Sequence, residues 1–350
     1  MTDYRPLGRT DLRVSAITLG TMTWGQQNTE TDGHAQLDRA LDAGINFIDT
    51  AESYSIPPRA ETQGSTERII GTWLKASGKR DRIILASKVA GPGDRNYLRK
   101  DGSQPRLDRK NIEEAIDASL KRLQTDYLDL YQLHWPHRNV PLFGGGSHAP
   151  NRGGDGSEVA IEEALDALDG LVKSCKIRHI GLSNETAWGL SRFLHLSETR
   201  GLPRVASVQN AYNLLNRTYE VGLAEFHERE QVGLLAYSPL GQGFLTGKYQ
   251  RGARPAGTRT TLFERGQRYQ KPGTEAAIES YLAIARDFGL DPAQLAIAYV
   301  ASRPFVTSAI IGATTLAQLD ADLAALKVKI TPEIEARIDA AHQLHGSPAP

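Results

Sequence analysis

Apolar and polar positions alternate along most of the chain in patterns that predict strands and amphipathic helices in turn. Residues 4–15 predict a short hairpin that turns near Gly8. Eight short apolar runs then predict strands at residues 17–20, 45–49, 82–88, 127–134, 177–183, 206–210, 233–237 and 308–312. Apolar residues at spacings of three and four predict helices at residues 31–43, from about residue 65, and at 108–123, 161–175, 187–199, 219–229, 275–288, 293–301, 316–326 and 332–344.

The chain therefore repeats a unit of strand then helix eight times. Such alternation favours a parallel sheet, and eight units favour a sheet that closes on itself. We predict an α/β fold, a (β/α)8 TIM barrel with an N-terminal hairpin and extra C-terminal helices, as a single domain over residues 1–350. A doubly wound sheet is the alternative, but it usually carries a G-x-G-x-x-G run after its first strand. The run Gly20-Thr21-Met22-Thr23-Trp24-Gly25 lacks the middle glycine, which favours the barrel.

The longest predicted loops follow Tyr54, Lys88, His134 and Tyr237, at the C-terminal ends of strands. In (β/α)8 barrels this face carries the active site. Residues 136–159 form a long glycine-rich loop on this face, for which a lid and a surface loop without fixed structure remain alternatives. Residues 346–350 are predicted to be a tail.

The composition narrows the class of protein. Forty-one basic residues balance forty-one acidic ones, so no general electrostatic footprint for nucleic acid or an anionic membrane is expected. The single cysteine excludes an intrachain disulfide and a cysteine-based zinc site. No apolar run has the length of a membrane span, and the first residues lack a signal-peptide core. We expect a cytoplasmic enzyme or regulator, whose oligomeric state, homo-oligomer included, the sequence leaves open.

Ionisable residues end three successive predicted strands. Asp49, with Tyr54 one turn later, follows one strand, Lys88 ends the next, and His134 ends the third. Each residue alone has an ordinary structural reading, as a capping acid, a surface tyrosine, a solvated lysine or a rim histidine. Neighbouring strand ends meet at one rim of a barrel, so we expect the four side chains to converge.

Proton donation to a carbonyl oxygen is the chemistry that would use these groups. An ordinary tyrosine pKa, about 10, is too high for efficient donation near neutral pH. We expect the ammonium of Lys88, held by Asp49, to lower the pKa of Tyr54. His134 is expected to bind the substrate oxygen or relay a proton. A carbonyl group also needs a hydride, which indicates a nicotinamide cofactor.

Five motifs in this order resemble the aldo-keto reductase superfamily, and the match runs over nearly the whole chain. They are Asp49-Thr50-Ala51-x-x-Tyr54, Ser87-Lys88, Asp129-Leu130-Tyr131-Gln132-Leu133-His134, Ile180-Gly181-Leu182-Ser183-Asn184 and Tyr237-Ser238-Pro239-Leu240-Gly241. Within the superfamily the chain resembles the bacterial Tas-type branch, near the branch with potassium-channel β subunits. Leu214-Leu215-Asn216-Arg217, Gly222-Leu223-Ala224-Glu225 and Gly312-Ala313-Thr314-Thr315 support that placement.

The resemblance implies NADPH-dependent reduction of aldehydes or ketones. It makes Asp49, Tyr54, Lys88 and His134 the catalytic tetrad, with Tyr54 as proton donor. It assigns the nicotinamide carboxamide to Ser183, Asn184 and Gln209, and ring stacking on the nicotinamide to Tyr237. The segment over the pyrophosphate would comprise Ser238, Pro239, Leu240, Gly241, Gln242, Gly243, Phe244, Leu245, Thr246, Gly247 and Lys248. Glycines there allow backbone N–H groups to approach phosphate oxygens.

The adenosine end of NADP(H) is expected at the last strand and the following helix N-terminus, a natural phosphate site. The expected contacts are Gly312, Thr314, Thr315, Gln318 and Asp322. Two of these depart from the family pattern. Thr314 stands where many relatives carry Lys or Arg for the 2′-phosphate, and Asp322 stands where an Asn usually faces adenine. Arg259 is expected to supply the missing positive charge.

Trp24 and Trp135, with Tyr54 and His134, are expected to form the walls of a site for a small carbonyl compound, although packing is an equal alternative for both tryptophans. No metal site is expected. A protein that binds NADP and signals redox state to a partner, with little turnover, is the alternative function. A metal-assisted barrel hydrolase or isomerase is a further alternative, but it would need ligand clusters at adjacent strand ends, and the sequence has none there.

Overall fold

Eight parallel strands close into a barrel in the computed structural model, which describes residues 3–143 and 158–349. The strands are β1 Tyr4–Pro6, β2 Arg13–Ser15, β3 Ile17–Gly20, β4 Phe47–Asp49, β5 Ile84–Val89, β6 Leu128–Leu133, β7 Ile177–Ser183, β8 Val205–Ala211, β9 Gly233–Tyr237 and β10 Val306–Ile311. β1 and β2 form a separate antiparallel hairpin, and β3 to β10 form the barrel, with β10 beside β3. The predicted (β/α)8 barrel with an N-terminal hairpin is confirmed.

Helices follow the barrel strands and cover their outer face. They are α1 Glu30–Asp42, α2 Ser65–Ser77, α3 Arg109–Leu123, α4 Ile161–Lys173, α5 Ala187–Arg200, α6 Tyr219–Gly222, α7 Glu225–Glu230, α8 Arg259–Phe263, α9 Thr274–Asp287, α10 Pro292–Ser302, α11 Leu316–Ala324 and α12 Pro332–His345. Asp and Thr side chains cap several N-termini; Asp108, for example, accepts a hydrogen bond from Asn111 N at 2.9 Å. None of the helices within the described residues is long and apolar enough to cross a membrane.

Most predicted bounds lie within two residues of the observed ones, and three differences are informative. The helix predicted at residues 219–229 is two short helices, α6 and α7. The strand predicted from residue 45 begins at Phe47, because Ile45 N still donates to Ala40 O and closes the end of α1. A short helix, α8, lies in the loop after β9, where none was predicted.

The N-terminal hairpin closes one end of the barrel. Leu7, Leu12 and Val14 are buried in one apolar cluster with residues that point into the barrel from its strands, such as Phe47 and Leu130. Gly8 has a φ of +60°, and a Cβ there would lie 2.4 Å from a carbonyl oxygen of β8, so the turn requires glycine. The interior is therefore apolar at the hairpin end, and the C-terminal ends of the strands remain for a site.

The last residues pack on the barrel. Ala349 is buried and its N–H donates to Leu215 O at 3.2 Å, while Ser347 Oγ accepts a hydrogen bond from Arg217 N. The described part of the predicted tail therefore lies against the loop after β8.

Candidate active site

A layer of polar side chains fills the barrel interior at the C-terminal end. Asp49 ends β4, Lys88 lies in β5, Gln132 in β6 and Gln209 in β8, and all four are buried. Asp49 Oδ1 accepts hydrogen bonds from Gln209 Nε2 at 2.8 Å and from Gln132 Nε2 at 3.4 Å. This layer replaces the apolar interior seen at the hairpin end.

Lys88 is the centre of the layer. Its Nζ donates to Asp49 Oδ2 at 2.7 Å, to Thr50 O at 2.8 Å and to Tyr54 Oη at 3.4 Å. Burial is the largest single effect and would lower the pKa of Lys88, but Asp49 and Tyr54 together outweigh it, so the pKa lies above its usual value. The ammonium is therefore charged, and its three protons have three acceptors.

Tyr54 lies beside this ammonium, half-buried, with Lys88 Nζ also 4.9 Å from its ring centroid. Burial raises the pKa of Tyr54, and the positive charge of Lys88 opposes the rise without cancelling it. The expectation that Lys88 brings the pKa below its usual value is thus wrong for the protein alone. The direction of the lysine's effect is as expected, but desolvation of the phenolate is larger.

His134 faces Tyr54 edge-on, with ring centroids 5.7 Å apart. Burial lowers the pKa of His134 well below its usual value, and the charges of Lys88 and Arg95 act in the same direction. Its Nδ1 is buried with no hydrogen-bond partner among the described residues. The histidine is therefore neutral and able to donate or accept one hydrogen bond.

A buried ion pair holds the loop that carries Tyr54. Glu52 accepts two hydrogen bonds from Arg99, at 2.9 and 3.1 Å, and one from Ala90 N at 2.7 Å. Glu52 thereby joins the loop after β4 to the loop after β5. Sequence reasoning missed this pair. The signal available was an unassigned acid placed between Asp49 and Tyr54.

The residues predicted to hold the nicotinamide lie next to the tetrad. Tyr237 Oη donates to Asn184 Oδ1 at 2.6 Å, and Asn184 Nδ2 donates to His134 O at 2.8 Å. Ser183 Oγ donates to Gln209 O at 2.8 Å. The Gln209 side-chain amide donates to Asp49, while its backbone carbonyl accepts from Ser183 Oγ and Asn184 N, so Gln209 joins the tetrad to the end of β7.

The segment after Tyr237 winds tightly, with positive φ at Ser238, Gly241, Gln242, Gly243 and Gly247. A Cβ at Gly243 would lie 3.0 to 3.1 Å from the end of the Lys248 side chain, so this glycine lets the lysine approach the backbone. Other side chains of the segment pack against the rest of the protein. Pro239, Phe244 and Leu245 are buried, and Leu240 and Thr246 are half-buried.

Arg259, the first residue of α8, is half-buried and lacks a hydrogen bond or ion pair with any described residue. Burial and then the nearby positive charge of Arg265 lower the pKa of Arg259 to about 10. No carboxylate in residues 3–143 and 158–349 compensates the charge of this guanidinium.

The predicted adenosine contacts lie around the N-terminus of α11. Thr315 caps this helix by accepting from Gln318 N at 3.1 Å, and Gln318 Oε1 accepts from Thr314 N and Oγ1 at 2.9 Å. Gly312 is exposed, whereas Asp322 is buried on the inner side of the helix. Burial, then the charge of Asp291, raises the pKa of Asp322 to about 7.

The two tryptophans differ in position. Trp135 lies at the site, 4.8 Å from the His134 ring, and donates from Nε1 to Pro92 O at 2.9 Å. Trp24 is fully buried in the main core and its Nε1 lies 3.3 Å from Gln36 Oε1 of α1. The packing alternative therefore describes Trp24, which lines no described part of the site.

Of the predicted lid at residues 136–159, residues 144–157 lie outside the described residues. The described part includes Phe143, whose ring is 6.0 Å from the Trp135 ring. No group of three or more His, Cys, Asp or Glu side chains in residues 3–143 and 158–349 is arranged to hold a metal ion.

Comparison with known proteins agrees with this geometry. Residues 16–343 match the model of the Aldo/keto reductase family. The chain is 51% identical to Protein tas of Escherichia coli (strain K12), over 99% of both chains. It is 34% identical to Uncharacterized oxidoreductase YrpG of Bacillus subtilis (strain 168), over 95% of this chain and 93% of the relative. It is 30% identical to a probable voltage-gated potassium channel subunit beta of Oryza sativa subsp. japonica, over 97% and 96%. The resemblance read from the motifs is confirmed, and the chain belongs to the aldo/keto reductase family.

Proposed function

We propose that the protein is an oxidoreductase that reduces aldehydes or ketones to alcohols with NADPH. The observation that carries the proposal is the position of Lys88 Nζ, 2.7 Å from the Asp49 carboxylate and 3.4 Å from the Tyr54 hydroxyl. Family membership and the name of the oxidoreductase YrpG support a general oxidoreductase role.

Tyr54 is the proposed proton donor. Because Lys88 uses its third proton toward Tyr54 Oη, the hydroxyl accepts there and its own proton is free to point toward a substrate oxygen. The same ammonium stabilises the phenolate left after donation. Neutral His134, edge-on to Tyr54, is the proposed hydrogen-bond donor to that oxygen.

A nicotinamide cofactor would supply the hydride, which no side chain provides. The residues present fit such a group. Ser183, Asn184 and Gln209 offer amide and hydroxyl groups beside the tetrad, and the ring of Tyr237 is held there by its hydrogen bond to Asn184. The site also suits an anion, because Arg259 lacks a carboxylate partner among the described residues.

We assign the 2′-phosphate of NADPH to Arg259, since Thr314 provides no charge. The close approach of Lys248 to the Gly243 backbone favours a pyrophosphate there. The remaining expected contacts, at the N-terminus of α11, are proposed for the adenosine end.

A regulatory protein that binds NADP with little turnover is the second candidate. It is favoured by the relative whose name describes a probable voltage-gated potassium channel subunit beta. The two candidates bind the same cofactor and differ in turnover.

Steady-state NADPH oxidation against a panel of aldehydes and ketones separates them. We expect turnover by the wild type and a loss of at least about 100-fold in Tyr54→Phe, with NADPH binding retained, because general acid catalysis contributes about 10² to 10⁴. Unchanged turnover in Tyr54→Phe would refute the assignment of the proton donor. Tight NADPH binding with negligible wild-type turnover across the panel would favour the regulator.

A further inference from the structure

Three arginines lie near Trp135 and Phe143 or near one another, and we call them the arginine rim: Arg95, Arg265 and Arg268. Arg95 comes from the loop after β5, and the other two come from the loop between α8 and α9. The Arg95 guanidinium carbon lies 5.0 Å from the Trp135 ring, and that of Arg268 lies 4.6 Å from the Phe143 ring. The two rings are 6.0 Å apart, so the guanidinium groups flank one aromatic wall.

The rim has no anionic partner within the part of the chain that the structure describes. Among residues 3–143 and 158–349, no side-chain hydrogen bond or ion pair is made by the three guanidinium groups. Other arginines at this end of the barrel are paired with buried carboxylates, as Arg99 is with Glu52 and Arg138 with Glu185. The oxygens of Glu52 are occupied by Arg99 and by Ala90 N.

The rim residues also repel one another. All three are half-buried. Burial lowers the pKa of Arg265, and the charges of Arg268 and Arg95 lower it further. Burial likewise lowers the pKa of Arg95. Half-buried like charges without counter-charges are costly unless a ligand supplies the anion.

The position of Arg95 connects the rim to the reacting groups. Its charge acts on both Tyr54 and His134. Trp135, on which Arg95 stacks, lies 4.8 Å from the His134 ring. Arg265 and Arg268 follow Arg259 in the long connection after Tyr237, and their charges act on Arg259. Arg95 and Trp135 place the other end of the rim beside Tyr54 and His134, on the substrate side of the site.

We propose that the natural substrate is a carbonyl compound that also carries an oxyanion, and that the arginine rim binds the oxyanion while the carbonyl oxygen faces Tyr54 and His134. The inference rests on the proposed reductase function and adds the substrate class. A carboxylate and a phosphate share the chemistry, because both accept two hydrogen bonds from one guanidinium.

The test compares kcat/KM with NADPH for 4-carboxybenzaldehyde, 4-formylphenyl phosphate and 4-methylbenzaldehyde, which differ in the charge one ring away from the carbonyl. We expect the wild type to prefer a charged aldehyde over the methyl compound by at least about tenfold, and the preference to fall with added salt. The charged aldehyde with the higher kcat/KM shows whether the natural substrate carries a carboxylate or a phosphate.

Arg95→Met and Arg268→Met should each reduce that preference about tenfold, and Arg95→Lys should restore part of it. Met retains an apolar stem on the aromatic wall. Arg82→Met is the matched control, because Arg82 is exposed and lies before β5, at the opposite end of the strand from Lys88. It removes the same charge and should leave the preference intact.

Equal kcat/KM for charged and neutral aldehydes in the wild type would overturn the inference and leave the reductase function standing. Weaker NADPH binding in the rim variants, with equal losses for all three aldehydes, would also overturn it and assign the rim to the cofactor. If no carbonyl is turned over, the proposed function fails instead. Calorimetry of benzoate and phenyl phosphate with the NADP complex then decides: binding that Arg95→Met removes supports the rim, and no binding overturns it.

Discussion

Asp322 provides a test of the electrostatics at the proposed cofactor end of the barrel, and this test needs no substrate. Its carboxyl, on α11, is only 5% exposed, and no described residue donates a hydrogen bond to it. Burial and the charge of Asp291 outweigh the attraction of Lys248 and raise the pKa of Asp322 to about 7, from an ordinary 3.8. Asp322→Asn keeps the size of the side chain and removes the titration.

The direction of the effect follows from proton binding. Below about pH 4 the Asp322 carboxyl is protonated in both the folded and the unfolded chain, and its contribution to the free energy of unfolding is fully present. Between about pH 4 and pH 7 the unfolded chain loses the proton and the folded chain keeps it, so the free energy of unfolding falls as pH rises. A difference of about three pKa units corresponds to about 4 kcal/mol, more than half of which is lost between pH 5 and pH 8.

Urea unfolding of the wild type and of Asp322→Asn at pH 5, 6, 7 and 8 measures this loss, because taking the difference between the two proteins cancels the other titrating groups. We expect the free energy of unfolding of the variant to gain roughly 2 to 3 kcal/mol on that of the wild type across that range. Asp320→Asn is the control: Asp320 lies on the same helix, and its hydrogen bonds from Arg39 lower its pKa, so no such gain is expected. Parallel stability curves for wild type and Asp322→Asn would refute the reasoning.

Two further substitutions test packing, one between α2 and α3 and one beside the site. Gly71→Ala should destabilise the protein by about 1–3 kcal/mol although alanine favours helices, because its Cβ would lie 2.1 Å from Arg122 O. A thermal unfolding scan measures this loss. Gly170→Ala is the control and should be neutral or stabilising in the same scan, because the nearest atom, 3.3 Å away, belongs to a flexible side chain. Arg99→Met should lower the free energy of unfolding by about 3–5 kcal/mol, because Glu52 is left charged and buried. A decrease of less than about 1 kcal/mol in the free energy of unfolding would show that water reaches the Arg99–Glu52 ion pair.

The barrel could be predicted from the sequence because its evidence is local. Each strand is a short apolar run, each helix has its own periodicity, and parallel strands must place their C-terminal ends on one rim. That rule alone was enough to expect Asp49, Lys88 and His134 near one another. The helix predicted at residues 219–229 failed, since α6 and α7 share one apolar pattern that does not reveal the break at Leu223 and Ala224.

Other parts of the site depend on contacts between residues distant in the chain. Gln209 meets Asp49 across 160 positions, and Arg99 meets Glu52 across 47. No local pattern marks such pairs. The pKa of Tyr54 was misjudged for a related reason: the sequence indicates a nearby ammonium, but the cost of burial, which dominates, depends on the packed structure.

The hairpin affects the electrostatics of a site that lies at the other end of the barrel. Leu7, Leu12 and Val14 close the barrel with apolar side chains, so the interior beneath Lys88 is a region of low polarity. In such surroundings a lone ammonium is costly, which requires the complete set of acceptors that Asp49, Thr50 and Tyr54 provide. The same burial disfavours a second positive charge, so His134 stays neutral next to Lys88. In the proposed mechanism, one charged lysine beside one neutral histidine would let Tyr54 give up a proton while the substrate oxygen is held by hydrogen bonds.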